Sequence, residues 1–215
     1  TPLEVYVQVG ENGEEILVHS YTRAEMEELA LENTEPIWYA MYDRLPTTFM
    51  GKAVRYVTIE QIVDSASGYN DVLHYDGPGC IMRGSSMDGW TLDLSWEYLM
   101  GTERKYYAAL GDQYLAEENR TGEDREVPPV LAITGWAGRR TQVDNQPYDT
   151  LNTYRFFYGQ SEEEYGGGVL PTYEEMDYRC TAMNTAKFVK KLVFVVPETI
   201  EIYTVTFEVT PEGAA

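Results

Sequence analysis

The sequence contains little lysine, histidine or cysteine and no long hydrophobic run. Its 215 residues include 5 Lys, 2 His and 2 Cys, and 36 acidic residues against 16 Lys plus Arg give a formal charge of −20. Nucleic acids and anionic lipid surfaces select basic faces, so this charge argues against both as partners. No apolar stretch approaches the ~18 residues that a transmembrane helix needs, and no membrane span is predicted.

Aromatic and apolar residues are plentiful by comparison. The chain has 18 Tyr and 4 Trp, and 43% of its residues are hydrophobic. This composition is that of a globular protein and excludes disorder for most of the chain. Low Lys together with abundant Tyr, Gly, Asp and Thr is typical of exported bacterial surface proteins. We therefore expect an extracellular or cell-surface protein whose export signal is missing from this chain.

Strand patterns outnumber helix patterns along the chain. Leu3–Val9 and Ile200–Val209 alternate apolar and polar residues, whereas Phe188–Val196 becomes fully apolar and predicts a strand buried on both faces. Helices are predicted to start at Thr22 and Thr58, each with a capping-box partner three residues later. Because no regular alternation of strand and helix appears, the fold class predicted is α+β with mixed β-sheets and a few short helices.

The connecting segments give further expectations. The helix that starts at Thr58 is predicted to end at Gly68 in the left-handed conformation. Residues 111–126 are predicted to form an exposed excursion and residues 135–150 a loop. The acidic run Glu162–Glu164 is predicted to be a solvated face.

Five segments resemble, in their order and spacing, the molybdopterin-binding domain of the sulfite oxidase family. They are a strand and short helix ending in Ala-x-Gly (Gly51–Gly68), an Asp-Gly-Trp turn and strand (Asp88–Leu94), an apolar strand with a Leu-Ala pair (Val127–Ala132), an Arg-containing strand (Asn152–Gln160) and a closing strand with lysines (Asn184–Phe194). The resemblance spans residues 36–197. It implies the family's fold, a bound molybdopterin and oxidoreductase chemistry, with Arg155, Lys187 and Lys190 as the matching cofactor-binding cations.

The chain departs from this family at the metal ligand. In the family a cysteine thiolate ahead of the segment matching Gly51–Gly68 holds the molybdenum, and residues 1–50 here contain no Cys. The function expected is therefore a non-catalytic binding or structural module on a sulfite-oxidase-like scaffold, with no cofactor predicted. The alternative is a molybdopterin-dependent oxidoreductase with an altered metal site.

The end of the chain resembles another kind of module. Tyr203–Ala214 is similar to the first strand of an immunoglobulin-like repeat in Gram-positive surface proteins. We expect one α+β domain over residues 1–199, followed by a terminal strand over 200–215 and by other domains of a longer surface protein. The other interpretation of the terminal strand is the last strand of this domain with a frayed tail.

Polar candidates for a site are scattered and each has a structural alternative. Cys80 and Cys180 are predicted either to form a disulfide or to be two buried thiols. His74 is a possible metal ligand or a hydrogen-bonded structural residue. The loop with Asp144, Asn145 and Asp149 offers oxygen ligands for Ca²⁺ but lacks EF-hand spacing, so a solvated loop is the simpler interpretation.

The aromatic residues give a second kind of candidate. They form either a cleft for a sugar or planar ligand or part of the hydrophobic core, and they are Trp38, Tyr39, Tyr42, Trp90 and Trp136. Together with Arg155, Lys187 and Lys190, which can bind phosphate or carboxylate, they make a carbohydrate or a small anionic ligand the expected partner.

Overall fold

The structure is a computed structural model that describes residues 1–44, 47–69, 77, 79–139, 148–149, 154–166, 172–173, 178–179 and 185–198. Within these residues the strands are β1 (Leu3–Val9), β2 (Glu15–Tyr21), β3 (Ile37–Arg44), β4 (Thr47–Thr58), β5 (Ile81–Ser86), β6 (Thr91–Ser95), β7 (Lys105–Tyr106), β8 (Arg125–Glu126), β9 (Val130–Arg139), β10 (Tyr148–Asp149), β11 (Arg155–Phe157), β12 (Thr172–Tyr173), β13 (Tyr178–Arg179) and β14 (Val189–Val196). The α-helices are α1 (Arg23–Leu29), α2 (Ile59–Ser67), α3 (Trp96–Met100), α4 (Ala108–Gly111) and α5 (Glu162–Tyr165).

Two larger sheets carry most of the strands. The first has the order β2-β1-β14-β5-β6, in which β1 and β14 are parallel and the other pairs are antiparallel. The second has the order β10-β9-β4-β3, and β11 also pairs with β9. Mixed sheets with a few short helices confirm the predicted α+β class.

A hydrophobic core joins the two sheets. Because strand residues alternate between faces, Leu3, Val5 and Val7 of β1 reach this core from the first sheet, and Leu131 and Ile133 of β9 reach it from the second. Each fully buried side chain of this size contributes about 1.5–3 kcal/mol relative to an exposed one. The core therefore fixes the position of β9 and of the strands that pair with it.

The second sheet also contributes residues to a second core. Tyr39, Met50 and Phe157 are buried there. Gly51 permits the packing, because a Cβ atom at this position would lie 2.6 Å from a carbon of the Phe157 ring. The glycine thus allows an aromatic ring to sit directly on the sheet beside β3 and β4.

Both predicted capping boxes are confirmed. The Thr22 hydroxyl accepts from the Glu25 backbone N–H, and the Thr58 hydroxyl accepts from that of Gln61. The predicted end of α2 is wrong, since Gly68 has φ −65° and ψ −21° and stays right-handed. The Gly68 and Tyr69 N–H groups bond back to Ser65 and Ala66, which satisfies the last carbonyls by tightening the turn.

Two predicted loops are also corrected. The loop expected at 135–150 is wrong in its first part, because β9 continues to Arg139 along most of β4. Residues 111–126 are not wholly exposed, since Gly111 is buried at the end of α4 and Leu115 is buried in the second core. The exposed excursion was predicted from the polar composition of this segment, but a few apolar residues are enough to pack it against the sheet.

None of the helices found among the described residues is long and apolar enough to span a membrane. The predicted strand Ile200–Val209 and the whole segment 200–215 lie outside the described residues, so the domain boundary at residue 199 stays a prediction.

Candidate functional site

Three residues form a row across the second sheet. In the strand register Trp38 of β3 is opposite Lys52 of β4, and Lys52 is opposite Trp136 of β9. Directly opposed residues project from the same face with their Cβ atoms about 4.5–5.5 Å apart. The pairing of three strands therefore places a lysine between two tryptophans.

The side chains of this row contact one another. The Lys52 ammonium lies 4.7 Å from the Trp38 ring centroid. The Trp38 and Trp136 rings meet edge to face, with centroids 6.0 Å apart and an interplanar angle of 66°. All three side chains are half-buried. The row thus presents rigid aromatic surface and one cation at the border with solvent.

A cavity of about 550 Å³ lies over this row, and we call it the aromatic cleft. Its size falls within the ~300–1,000 Å³ range of small-molecule sites. Beyond the row, it is lined by Val54 and Gly135 from the sheet and by a wall of residues from segment 114–119, namely Tyr114, Leu115, Ala116, Glu118 and Asn119. Apolar surface therefore alternates with an ammonium, a carboxylate and an amide that can hydrogen-bond a ligand.

The wall of the aromatic cleft is held by the carboxylate of Asp112. Its Oδ1 accepts from the Tyr106 hydroxyl at 2.7 Å, and its Oδ2 accepts from the Gly122 N–H at 2.8 Å. The Thr121 N–H also donates to Oδ1, at 3.2 Å. Gly122 has φ +71°, in the left-handed region that glycine enters without strain. Asp112 thus ties the segment that carries the wall to β7.

These hydrogen bonds change the acidity of both partners. Burial raises the pKa of Tyr106, and its hydrogen bond to Asp112 raises it further. Burial acts to raise the pKa of Asp112, but the hydrogen bonds from Tyr106, Gly122 and Thr121 outweigh it and lower that pKa. Asp112 is therefore stabilised as the carboxylate, which is the form that accepts all of these bonds.

The other aromatic candidates do not line the aromatic cleft. Tyr39 is buried, stacks on Phe157 with ring centroids 5.2 Å apart, and donates its hydroxyl proton to the Pro128 carbonyl. Tyr42 donates to the Tyr165 carbonyl at 2.9 Å. Trp90 packs against the core that joins the two sheets. Of the five aromatic residues predicted for a cleft, the structure brings Trp38 and Trp136 together.

The predicted cations lie near one another along the backbone. The Phe156 N–H donates to the Ala186 carbonyl and the Val189 N–H donates to the Tyr154 carbonyl, both at 2.8 Å. This pairing sets Arg155 alongside the segment that contains Lys187 and precedes Lys190.

The charged groups of these residues have different surroundings. The Arg155 guanidinium lies 5.1 Å from the Phe49 ring and 5.5 Å from the Phe157 ring. Lys187 is exposed, with its ammonium 5.5 Å from the Phe188 ring, and Lys190 is exposed on β14. An anion site formed by all three stays a prediction.

The remaining polar candidates are placed only in part. Cys80 is buried in the core between the sheets, and Cys180 lies outside the described residues, so their pairing stays a prediction. His74, Asp144 and Asn145 also lie outside, and Asp149 is described only as part of β10. Among the residues that the structure does describe, no group of three His, Cys, Asp or Glu side chains is placed to hold a metal ion.

The acidic run at 162–164 is not a wholly solvated face, because Glu164 forms a buried ion pair. Its Oε2 lies 2.6 Å from Arg104 Nη1, and the two side chains are 2% and 3% exposed. Glu164 also accepts from the Tyr98 hydroxyl, and burial together with this carboxylate raises the pKa of Tyr98 to about 12. The Ser161-x-x-Glu164 spacing of a capping box, which α5 contains, was the available sequence signal.

No protein-family model matches the chain, and no curated protein matches it.

Proposed function

We propose that this chain is a non-catalytic binding module that holds a carbohydrate in the aromatic cleft. The observation that carries the proposal is the row of Trp38, Lys52 and Trp136 beneath a cavity of about 550 Å³. Sugar rings have apolar faces made of C–H groups and edges made of hydroxyls. Indole rings supply flat apolar surface for the faces, while nearby polar side chains bind the edges.

The residues around the aromatic cleft divide these tasks. Trp38 and Trp136 offer ring surface that is already fixed by their mutual contact, so little side-chain entropy is lost on binding. Lys52 donates hydrogen bonds to ring or hydroxyl oxygens, and Glu118 and Asn119 provide acceptors on the opposite wall. This combination of rigid aromatic surface with donors and acceptors on both sides supports carbohydrate as the ligand class.

The setting that we propose is the surface of a bacterium, within a longer modular protein and on a sulfite-oxidase-like scaffold. Composition supports the setting, and the order of the five segments from Gly51 to Phe194 supports the scaffold. An oxidoreductase of this family needs a soft thiolate for a pterin-bound molybdenum. Cys80 does not suit that role, because it is 4% exposed and packed in the core between the sheets.

Calorimetric titration with a panel of neutral hexose oligosaccharides tests the proposal. We expect at least one oligosaccharide to bind, and Trp136→Ala to weaken that binding roughly tenfold or more, as a central aromatic contact does. Tyr69→Ala is the matched control, because Tyr69 is an exposed aromatic that stacks on His19 away from the aromatic cleft. Absence of binding across the panel, or equal losses in the two variants, would refute the proposal.

A further inference from the structure

Two more depressions continue the aromatic cleft along the surface. The second, of about 190 Å³, shares Trp38 with the aromatic cleft. The third, of about 420 Å³, shares Glu126 and Val127 with the second. Because each depression shares lining residues with the next, the three are neighbours on the surface, and we call them together the extended groove.

The extended groove keeps the same chemistry along its length. Apolar residues line its second and third parts, among them Ile37, Val127 and Pro129, and polar side chains interrupt them at Thr121, Arg125, Thr102, Glu103 and Glu126. Hydrogen-bond donors and acceptors therefore recur beyond the two tryptophans. A single sugar in the aromatic cleft would leave these groups without a ligand.

We infer that the ligand is a linear, neutral oligosaccharide that starts in the aromatic cleft, passes Trp38 and follows the extended groove to the depression beside Pro128 and Pro129. This inference rests on the proposed function and adds to it the length and the charge of the ligand. It assigns Arg125 and Thr102 as contacts for the distal sugars.

Charge argues for a neutral chain. Glu118, Glu126 and Glu103 border the extended groove, against two cations, Lys52 and Arg125; a third lining cation, Arg104, is paired with the buried Glu164. The protein as a whole carries −20, and its field therefore repels a polyanion such as a chain of uronic acids. Sugar hydroxyls can accept hydrogen bonds from Lys52 and Arg125 and donate hydrogen bonds to the three carboxylates. Because such a ligand is uncharged, the negative field of the protein does not repel it.

At the aromatic cleft, geometry argues for a glycan over an extended peptide. An extended peptide gains most of its affinity by pairing its backbone with an open sheet edge. The aromatic cleft instead lies on the face of the second sheet, where β4 is hydrogen-bonded to β3 on one side and to β9 on the other. Side-chain stacking and side-chain hydrogen bonds, the means by which sugars bind, are what this face offers.

The test is a titration with neutral β-linked hexose oligomers of increasing length, from a disaccharide to a hexasaccharide. We expect affinity to rise with length, and Arg125→Ala and Thr102→Ala to weaken hexasaccharide binding roughly three- to tenfold each, the effect of losing one hydrogen bond. Disaccharide binding should stay unchanged in both variants. Arg55→Ala is the control, because Arg55 pairs with Glu27 and lines none of the three depressions.

The outcomes separate this inference from the proposed function. Disaccharide binding that Trp136→Ala abolishes, with no gain for longer oligomers, would overturn the inference and leave the function standing. Absence of binding by any oligomer would overturn both. Tighter binding of a uronate oligomer, or binding of an extended peptide in place of the glycans, would also overturn the inference.

Discussion

The Lys52 ammonium lies 4.7 Å from the centre of the Trp38 ring, and both side chains line the aromatic cleft. A cation over an aromatic face is attracted by the ring quadrupole, which holds the ammonium in place at little cost in solvation. The contact also keeps a donor beside the surface on which a sugar would stack.

Replacing Lys52 separates the role of its ammonium charge from that of the aliphatic part of its side chain. We predict that Lys52→Met weakens oligosaccharide binding roughly five- to twentyfold, because hydrogen bonds from a charged donor are the stronger ones. Lys52→Arg should keep most of the affinity. The free energy of unfolding should change by no more than about 1 kcal/mol. Unchanged binding in Lys52→Met, measured by calorimetry, would remove Lys52 from the site.

Asp112 should control both the wall of the aromatic cleft and part of the acid stability. Asp112→Asn loses acceptor capacity toward Gly122 or Tyr106, and we predict a loss of about 1–2 kcal/mol at neutral pH. Because the pKa of Asp112 is lowered on folding, its contribution is present above its ordinary value of 3.8 and is lost as the pH falls through the folded value. Urea unfolding between pH 7 and about pH 3 measures this.

The control variant for Asp112→Asn is Asp64→Asn, which replaces an exposed carboxylate on α2. It should alter neither stability nor ligand binding. Asp112→Asn should in addition weaken oligosaccharide binding, since the wall that carries Glu118 and Asn119 loses its anchor. A variant that is destabilised but binds normally would show that Asp112 does not position the wall.

The buried pair of Arg104 and Glu164 should matter far more than an exposed pair. Glu164→Gln leaves the guanidinium without its countercharge, and we predict a loss of about 3–5 kcal/mol. The control is Asp93→Asn, because Arg83 and Asp93 form a 2.8 Å pair with side chains 31% and 48% exposed. Asp93→Asn should lower the free energy of unfolding by about 1 kcal/mol or less. Equal losses in urea unfolding would contradict this difference.

The cofactor prediction is tested by elemental analysis. Protein expressed in a host that makes molybdopterin should carry no stoichiometric molybdenum, because no cysteine precedes Gly51 and Cys80 is buried. Near one molybdenum atom per chain would contradict this and favour the altered oxidoreductase. A mutant of the host that lacks the cofactor gives the background level.

The local features of this fold are those that the sequence predicts well. Thr22 and Thr58 each begin a helix because the threonine hydroxyl and the side chain three positions later satisfy N–H groups at the helix start. In each case the two partners lie within four consecutive residues, so the sequence alone shows the motif. The apolar run that ends in Val196 forms a buried strand for an equally local reason. The conformation at the end of α2 could not be predicted, since glycine can adopt a left-handed or a right-handed backbone conformation. In the structure Gly68 is right-handed, and a tightened last turn satisfies the carbonyl groups.

The candidate site depends on register, which one sequence does not contain. Trp38, Lys52 and Trp136 come from three separate strands, and a slip of one residue would send Lys52 to the opposite face. Five aromatic residues were therefore equal candidates until strand pairing distinguished them. The ion pair of Glu164 and Arg104 could not be predicted for a similar reason, because the two residues come together only when the segments next to β7 and in α5 are folded into place.

The most direct test of carbohydrate binding in the aromatic cleft follows the indole N–H signals of the 4 tryptophans by NMR. Single Trp→Phe variants assign the signals, and a neutral hexose oligosaccharide is then titrated into the labelled protein. We predict saturable shifts for Trp38 and Trp136 and none for Trp90 and Trp96, which pack against the other core. Shifts confined to Trp90 and Trp96, or no shift with any oligosaccharide, would contradict the proposed function.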